Sequence, residues 1–199
     1  MQQQTLIFAG PQGSGKGTQI ELLKTYLEQA DRSRKIVHFE MGKNLRDLAT
    51  HNDYSGRHTN EVLMQGGLIP YAVSSSLFGQ YLMNNLKTND EHIVIDGFPR
   101  TATQVPMLDS ALVEFYARPT PTVVVIAISD EEAVKRLKLR GRSDDTEESI
   151  RKRLRWSAEE TMPNIAWFRA NSNYRVLDIN GERSVEEIQT DIRAKLGLS

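Results

Sequence analysis

Gly10-Pro11-Gln12-Gly13-Ser14-Gly15-Lys16-Gly17-Thr18 is the stretch that decides the fold, because it joins an apolar run to a helical pattern. Glycines let the backbone curl so that its N–H groups face inward, while the helix N-terminus and Lys16 add positive charge. The stretch therefore predicts a phosphate-binding loop that cradles a triphosphate. A glycine-rich turn with a surface lysine is the alternative, and the glycine spacing disfavours it. The loop alone does not name a reaction, since nucleotide hydrolases and switches share it.

Gly17 stands where such loops normally carry a Ser or Thr that binds magnesium, and Thr18 follows it. We therefore expect Mg²⁺ to be held mainly by nucleotide oxygens and water.

Five short apolar runs predict buried parallel strands, each bounded by turn-forming residues, at positions 5–9, 35–39, 92–95, 122–128 and 174–179. Helical patterns lie between them, so the chain predicts an α/β domain with a parallel sheet. Residues 41–91 are too long for one crossover helix. Three capping boxes predict where later helices begin: Ser129 with Glu132, Asp145 with Glu148, and Ser184 with Glu187.

Composition excludes several classes of protein. The 199 residues are 39% apolar and 26% charged, and the net charge of −1 does not favour a nucleic-acid or anionic-membrane surface. Absence of cysteine excludes disulfides and cysteine-bound zinc. No basic leader and no apolar run of about 20 residues is present, so we expect a cytoplasmic protein. Small size and the lack of an apolar stripe favour a monomer.

Asp96 ends the third apolar run, and ligands bind at the carboxyl ends of parallel strands. Asp96 could orient the water shell of a magnesium ion, or Asp-Gly could be a plain turn. Arg100 could pair with a phosphate bidentately, and Gln104 could bind the Watson–Crick edge of a base. Either side chain could instead be surface decoration.

Arginines crowd the segment from Arg136 to Arg155. Arg151 and Arg155 are typical of a solvated helix face, whereas Arg140 and Arg142 flank a glycine in a polar loop. Arginines on a closing loop can neutralise charge during phosphoryl transfer. Asp144 and Asp145 could pin those arginines, or the pair could merely cap the next helix.

Four ordered motifs resemble the adenylate kinase family of nucleoside monophosphate kinases and span nearly the whole chain. They are Gly-Pro-Gln-Gly-Ser-Gly-Lys-Gly-Thr-Gln (10–19), Gly-Gly-Leu-Ile-Pro (66–70), Asp-Gly-Phe-Pro-Arg-Thr (96–101) with Gln104, and Arg-Gly-Arg-Ser-Asp-Asp (140–145) with Arg153. The resemblance implies a five-stranded parallel sheet ordered 2-3-1-4-5. It also implies a core of residues 1–40, 71–139 and 146–199, an acceptor-binding lobe at about 41–70, and a short lid at about 140–145.

The same resemblance implies the roles of individual residues. ATP would lie on Gly13, Ser14, Gly15, Lys16, Gly17 and Thr18, with Arg136, Arg140 and Arg183 around it. AMP would lie near Met41, Arg46, Gly67, Leu68, Ile69, Gly97, Phe98, Pro99, Arg100, Gln104, Arg142 and Arg153. Transfer would depend on Lys16, Arg100, Arg140, Arg142 and Arg153, with Asp144 and Asp145 supporting the lid and Asp96 near Mg²⁺.

Two departures from the family pattern concern the acceptor. The family usually reads Ser-Thr-Gly-Asp where this chain reads Glu40-Met41-Gly42-Lys43. Met41 replaces a threonine beside the acceptor base, and Lys43 reverses a charge near its phosphate. The short lid without cysteine also sets the chain apart from the zinc-bearing long-lid variety.

The sequence thus predicts Mg²⁺-dependent transfer of the ATP γ-phosphate to a nucleoside monophosphate, with AMP favoured by Gln104. UMP or CMP is the alternative acceptor that Met41 leaves open. A nucleotide-binding regulatory protein with little turnover, or a kinase of a non-nucleotide metabolite, would belong to other functional classes.

Overall fold

A computed structural model of the chain describes residues 1–141 and 146–198. Strands and helices alternate along it. The strands are β1 Thr5–Ala9, β2 Ile36–Glu40, β3 His92–Asp96, β4 Thr122–Ala127 and β5 Arg175–Asn180. The helices are α1 Lys16–Ala30, α2 Met41–Ala49, α3 Tyr54–Met64, α4 Tyr71–Asn85, α5 Val105–Asp109, α6 Asp130–Arg140, α7 Glu147–Trp156, α8 Met162–Ala170 and α9 Val185–Leu196. A 3₁₀ turn (Ala102–Gln104) precedes α5, and π-helical turns follow α5 (Ser110–Phe115) and α7 (Ser157–Thr161).

The five strands form one parallel sheet in the order β2-β3-β1-β4-β5, which confirms the predicted order. Successive side chains of a strand face opposite sides of the sheet. In β1, Ile7 accordingly packs into the core beneath α2, α4 and α5, whereas Leu6 and Phe8 pack against α1 and α9. Both faces of the sheet are therefore covered, as expected for near-continuous apolar strands.

Parallel alignment brings the carboxyl ends of the central strands to one edge. Asp96 of β3 lies in register with Phe8 of β1 and with Glu40 of β2. The phosphate-binding stretch leaves β1 at this same edge and runs directly into α1. The sheet register thus places the loop and two carboxylates together.

The segment between β2 and β3 holds three helices, in agreement with its excess length for a single crossover. Helices α2 and α3 fall within the predicted acceptor-binding lobe at 41–70, and α4 follows at Tyr71. That these two helices move as a separate lobe stays a prediction.

Of the two predicted capping boxes that lie within the described residues, the one at α9 is complete. Ser184 accepts a hydrogen bond from the Glu187 N–H, and the Glu187 carboxylate accepts one from the Ser184 N–H. At α6 the Ser129 hydroxyl accepts from the Glu132 N–H, but Glu182 takes the Ser129 N–H instead. This half of the prediction was wrong because Glu132 pairs with Arg136, one turn further along α6.

The predicted start of α7 at Asp145 was also wrong. Thr146 is the residue that caps the helix, and its hydroxyl accepts a hydrogen bond from the Ser149 N–H at 3.2 Å. Thr and Asp are both favourable capping residues, so adjacent candidates differ too little for the sequence to separate them. Asp145 lies outside the described residues.

A buried arginine ties the opposite edge of the sheet together. Arg118 is 3% exposed, and its guanidinium donates hydrogen bonds to the Thr5 hydroxyl (2.8 Å) and to the backbone carbonyls of Asn89 (3.0 Å) and Glu91 (2.5 Å). Burial lowers the pKa of Arg118 to about 10, although the Glu91 carboxylate opposes this shift. The side chain therefore stays charged at neutral pH and joins the beginnings of β1 and β3.

We expect Arg118→Met to lower the free energy of unfolding by about 3–5 kcal/mol, because it leaves the buried Thr5 hydroxyl and the carbonyls of Asn89 and Glu91 without their donor. Urea unfolding followed by circular dichroism would measure the loss. Arg32→Met is the matched control, since Arg32 is exposed and should change stability by less than about 0.5 kcal/mol. Similar small losses in both variants would contradict this role of Arg118.

Candidate active site

A cavity of about 710 Å³ opens along the carboxyl edge of the sheet, within the usual size range of small-molecule sites. The phosphate-binding stretch, the ends of β2 and β3, and helices α2, α3, α6 and α7 contribute to its wall. Most of the polar side chains singled out from the sequence reach this one space.

Close backbone approach explains two glycines of the phosphate-binding stretch. Gly10 and Gly13 have φ values of 134° and 86°, which disfavour residues with a side chain. A Cβ atom on Gly10 would lie 2.3 Å from the Ile126 carbonyl oxygen, and one on Gly13 would lie 2.9 Å from the Ala133 carbonyl oxygen. The loop therefore rests directly on β4 and α6, which fixes its shape before any ligand binds.

Helix α1 begins at this loop without a side-chain cap. Gly15 precedes its first residue, and the first turn carries no acidic side chain. The first N–H groups of a helix have no intrahelical acceptors, so they and the helix dipole favour an anion at this point. The start of α1 is suited to phosphate.

Lys16 extends back over the loop toward backbone oxygens. Its ammonium group donates to the carbonyls of Gly10 (3.0 Å) and Pro11 (2.8 Å) and to the Ser14 hydroxyl (3.3 Å). Burial lowers the pKa of Lys16, and the negative charge of Asp96 partly offsets this effect. These neutral acceptors are weaker partners for a cation than phosphate oxygens, so an entering phosphate can replace them.

Three guanidinium groups come together on the other side of Lys16. Burial lowers the pKa of Arg100, Asp96 opposes the shift, and the nearby charges of Arg153 and Arg46 add to it. Arg100 donates from Nε to the Gly97 carbonyl at 2.9 Å, and Arg153 donates to the Ser149 carbonyl at 3.2 Å. Like charges this close repel one another, and an anion between them would remove the repulsion.

Arg46 has a carboxylate partner that the sequence did not single out as a site residue. Its Nη2 lies 2.9 Å from Oε1 of Glu40, the last residue of β2, and both side chains face the cavity. The difference from the family pattern at residues 40–43 drew attention to this segment, but only the fold shows that Glu40 pairs with Arg46. The carboxylate occupies one face of an arginine expected to hold the acceptor phosphate.

Magnesium would find hard oxygen ligands here but no complete cage. Asp96 and Thr18 line the cavity near Lys16. Among the described residues, no group of three or more Asp, Glu or His side chains could hold a metal ion. Oxygen donors of this kind suit Mg²⁺ that arrives with a nucleotide and keeps several waters.

Residues predicted around the acceptor base lie at different depths. Gly67, Gly97 and Pro99 line the cavity, whereas Met41, Ile69 and Phe98 are packed in the apolar core. Leu68 is half-buried beside them. The Met41 side chain, 1% exposed, thus packs into the core rather than lying open to the cavity.

Gln104 is buried, and its amide already has partners. Oε1 accepts hydrogen bonds from the backbone N–H groups of Arg100 (2.6 Å) and Thr101 (3.3 Å), and Nε2 donates to the Ser74 hydroxyl (2.8 Å). Thr101 and Gln104 form a capping box around the 3₁₀ turn. Gln104 therefore supports the backbone of Arg100, and the second hydrogen of Nε2 is the donor that remains for a base.

On the donor side, two of the expected residues face the cavity. Arg136 lines the cavity and donates hydrogen bonds to the Glu132 carboxylate (2.7 Å) and to the Gly181 carbonyl (3.0 Å). Arg140 lines the cavity near Lys16. The Arg183 side chain instead pairs with Asp191 on α9 at 2.6 Å. Arg142, Asp144 and Asp145 lie outside the described residues, so their predicted roles in the lid stay predictions.

Two further cavity residues follow Arg153, one at the end of α7 and one at the end of the π-helical turn. Trp156 lies with its ring 5.4 Å from the Arg100 guanidinium carbon, and Thr161 donates to the Arg100 carbonyl at 2.9 Å. The sequence offered only a weak signal for Trp156, an aromatic residue at the end of a helix rich in charged side chains. Trp156 therefore contacts the guanidinium of Arg100, and Thr161 contacts its backbone carbonyl.

Comparison with known proteins agrees with this arrangement. A family profile described as adenylate kinase matches residues 8–173. The chain is 33% identical to an adenylate kinase of Prochlorococcus marinus, over 96% of this chain and 97% of that protein. It is 34% identical to adenylate kinase 1 of a Nostoc species, over 96% and 98% of the two chains. An adenylate kinase of Thermus thermophilus is 33% identical over 98% of each.

The phosphate-binding loop, the arginines gathered beyond Lys16 and full-length similarity to these relatives lead to one conclusion: the chain belongs to the adenylate kinase family.

Proposed function

We propose that the protein catalyses reversible, Mg²⁺-dependent transfer of the γ-phosphate of ATP to AMP, giving two molecules of ADP. One observation carries the proposal. A single cavity joins the phosphate-binding loop with Lys16 to the guanidinium groups of Arg46, Arg100 and Arg153. Such a site can hold two phosphate chains end to end.

In this reaction ATP lies on residues 13–18 with its adenine near Arg136. The AMP phosphate lies on Arg46 and Arg100, so the γ-phosphoryl group is between the two nucleotides. Lys16, Arg140 and Arg153 neutralise charge that builds up on its equatorial oxygens. The acceptor phosphate is already an anion, so in-line attack needs no general base. Positioning and charge neutralisation supply the catalysis.

Magnesium enters with ATP as part of the substrate. It would bridge phosphate oxygens and withdraw their negative charge. Asp96 would hold its water shell, with Thr18 nearby. Zinc has no place in the proposal, because the chain has no cysteine for the long-lid type of zinc site.

The lid is proposed to close when both nucleotides are bound, with Arg140 and Arg142 on the phosphates and Asp144 and Asp145 holding those arginines. Closure tied to the second substrate would limit hydrolysis of ATP by water. Action as a monomer in the cytoplasm, without nucleic-acid or membrane partners, stays a prediction from the sequence. Among the described helices, none is long and apolar enough to cross a bilayer.

The acceptor could instead be UMP or CMP, the alternative that Met41 raised. Met41 is packed in the core, so its difference from the family pattern need not change the choice of base. A regulatory protein with little turnover would tolerate loss of the acceptor arginines, and this chain retains Arg46, Arg100 and Arg153.

Coupled measurement of ADP formation from Mg-ATP tests the proposal, with AMP, GMP, CMP and UMP offered separately. Strong turnover with AMP alone is expected. Turnover with a pyrimidine monophosphate would keep the mechanism but change the acceptor. Tight ATP binding without turnover on any of the four would favour the regulatory alternative.

Lys16→Met should lower kcat by about 100-fold or more, because it removes a positive charge from the transferred phosphoryl group while keeping the length of the side chain. Steady-state kinetics with saturating Mg-ATP and AMP would measure the loss. Lys87→Met, at the opposite edge of the sheet, changes the net charge equally and should leave kcat within about twofold. Normal turnover in the Lys16 variant would refute the proposed donor site.

Gln104→Glu keeps the acceptor oxygen that supports the N–H groups of Arg100 and Thr101 but removes the amide donor. We expect the ratio of kcat/KM for AMP to that for CMP to fall by about tenfold or more, with kcat less affected. Ser74→Ala removes only the internal partner of Gln104 and should leave base selectivity near that of the natural chain. Unchanged selectivity in the Glu variant would show that Gln104 does not bind the base.

Glu40→Gln should lower the KM for AMP by about three- to tenfold, because the carboxylate competes with the acceptor phosphate for Arg46 and repels it. The KM for ATP should stay nearly constant. Asp47→Asn, on the same helix as Arg46 but exposed, removes the same charge and serves as the control. A higher KM for AMP in the Glu40 variant would mean that Glu40 holds Arg46 in its binding position instead.

A further inference from the structure

Trp156 connects two parts of the acceptor half of the cavity. It is the last residue of α7, three positions after Arg153. Its indole Nε1 donates a hydrogen bond to the Gly66 carbonyl at 3.1 Å, and its ring lies 5.4 Å from the guanidinium carbon of Arg100. One side chain therefore touches both the arginine expected on the acceptor phosphate and the turn that ends α3.

Arg100 gains from such a neighbour because its charge is only partly compensated. Its side chain is half-buried, and burial together with the charges of Arg153 and Arg46 lowers its pKa, while Asp96 opposes that shift. Within residues 1–141 and 146–198, no carboxylate forms an ion pair with Arg100. An aromatic face stabilises a guanidinium without using any of its N–H donors. Trp156 thereby leaves the outer nitrogens of Arg100 available for phosphate.

The turn at Gly66 is fitted closely to α7. Gly66 has a φ of 63°, and a Cβ atom on it would lie 2.9 Å from the Ser149 carbonyl oxygen. The indole N–H of Trp156 also fixes the backbone carbonyl of Gly66. Gly67 follows directly and lines the cavity, so a shift of this turn would move the wall around the acceptor.

We propose that Trp156 is a positioning residue for the acceptor nucleotide, holding Arg100 toward the phosphate and fixing the turn at Gly66. This inference rests on the proposed function, in which the acceptor is a nucleoside monophosphate. Trp156 also lines the cavity, so a bound acceptor changes the surroundings of its indole.

Two variants separate the contacts of Trp156. Trp156→Phe keeps an aromatic face for Arg100 but loses the bond to Gly66, and Trp156→Leu loses both. We expect the KM for AMP to rise modestly in the Phe variant and by about tenfold or more in the Leu variant, while the KM for ATP stays within about twofold. An equal rise in both KM values, or none in either, would overturn the proposal.

Fluorescence supplies a readout that does not depend on turnover. The chain has only two tryptophans, and Trp167 packs against Phe168 and Tyr174. Titration with AMP should change the emission of the natural chain and of Trp167→Phe, but not of Trp156→Phe. A response that survives in Trp156→Phe would overturn the inference. Should Trp156→Leu fail to fold, this titration and the kinetics of the Phe variant still decide the matter.

Calorimetric titration with AMP separates failure of this inference from failure of the proposed function. AMP binding without transfer would contradict the function, while weaker AMP binding in the Trp156 variants would still support the positioning role. Transfer with an unchanged KM for AMP in both variants would contradict only the role of Trp156. Absence of AMP binding by the natural chain would contradict both.

Discussion

Positive charge held without full compensation at one edge of the sheet is the constraint on which the rest of the structure depends. Lys16 is bound by neutral oxygens, and Arg100 by a carbonyl and an aromatic ring. The start of α1 adds N–H groups that lack a side-chain cap. Such an arrangement costs folding free energy, and that cost is recovered when polyanions bind and compensate the charges.

The opposite edge shows how the same chain treats a buried cation that has no ligand to bind. Arg118 donates to Thr5, Asn89 and Glu91 at distances of ordinary strong hydrogen bonds. The N–H donors of Arg118 are therefore used within the fold, where they join the beginnings of β1 and β3. One edge of the sheet is therefore built for stability, and the other is left ready for nucleotides.

The sequence predicted most of the fold because its signals were local. Apolar runs marked all five strands, and glycine spacing marked the loop that β4 and α6 hold closely. The strand order came from family resemblance, since apolar runs do not tell which strands pair. Local signals failed where neighbours compete: Glu132 pairs with Arg136 instead of completing a capping box, and Thr146 rather than Asp145 caps α7.

The candidate site was less completely predictable, because several of its contacts join distant parts of the chain. Gln104 was expected to face a base, yet the fold gives its amide to Arg100, Thr101 and Ser74. Trp156 donates a hydrogen bond to Gly66 in the wall of the cavity, and no spacing in the sequence indicates this contact. The central claim is that both phosphate chains meet in one cavity. It is tested most directly by incubating the protein with Mg²⁺, AMP and ATP labelled with ³²P at the γ-position. Label appearing in ADP, matched by an equal amount of unlabelled ADP from ATP, is the predicted result. Label released as inorganic phosphate, or retained in ATP, would contradict the account.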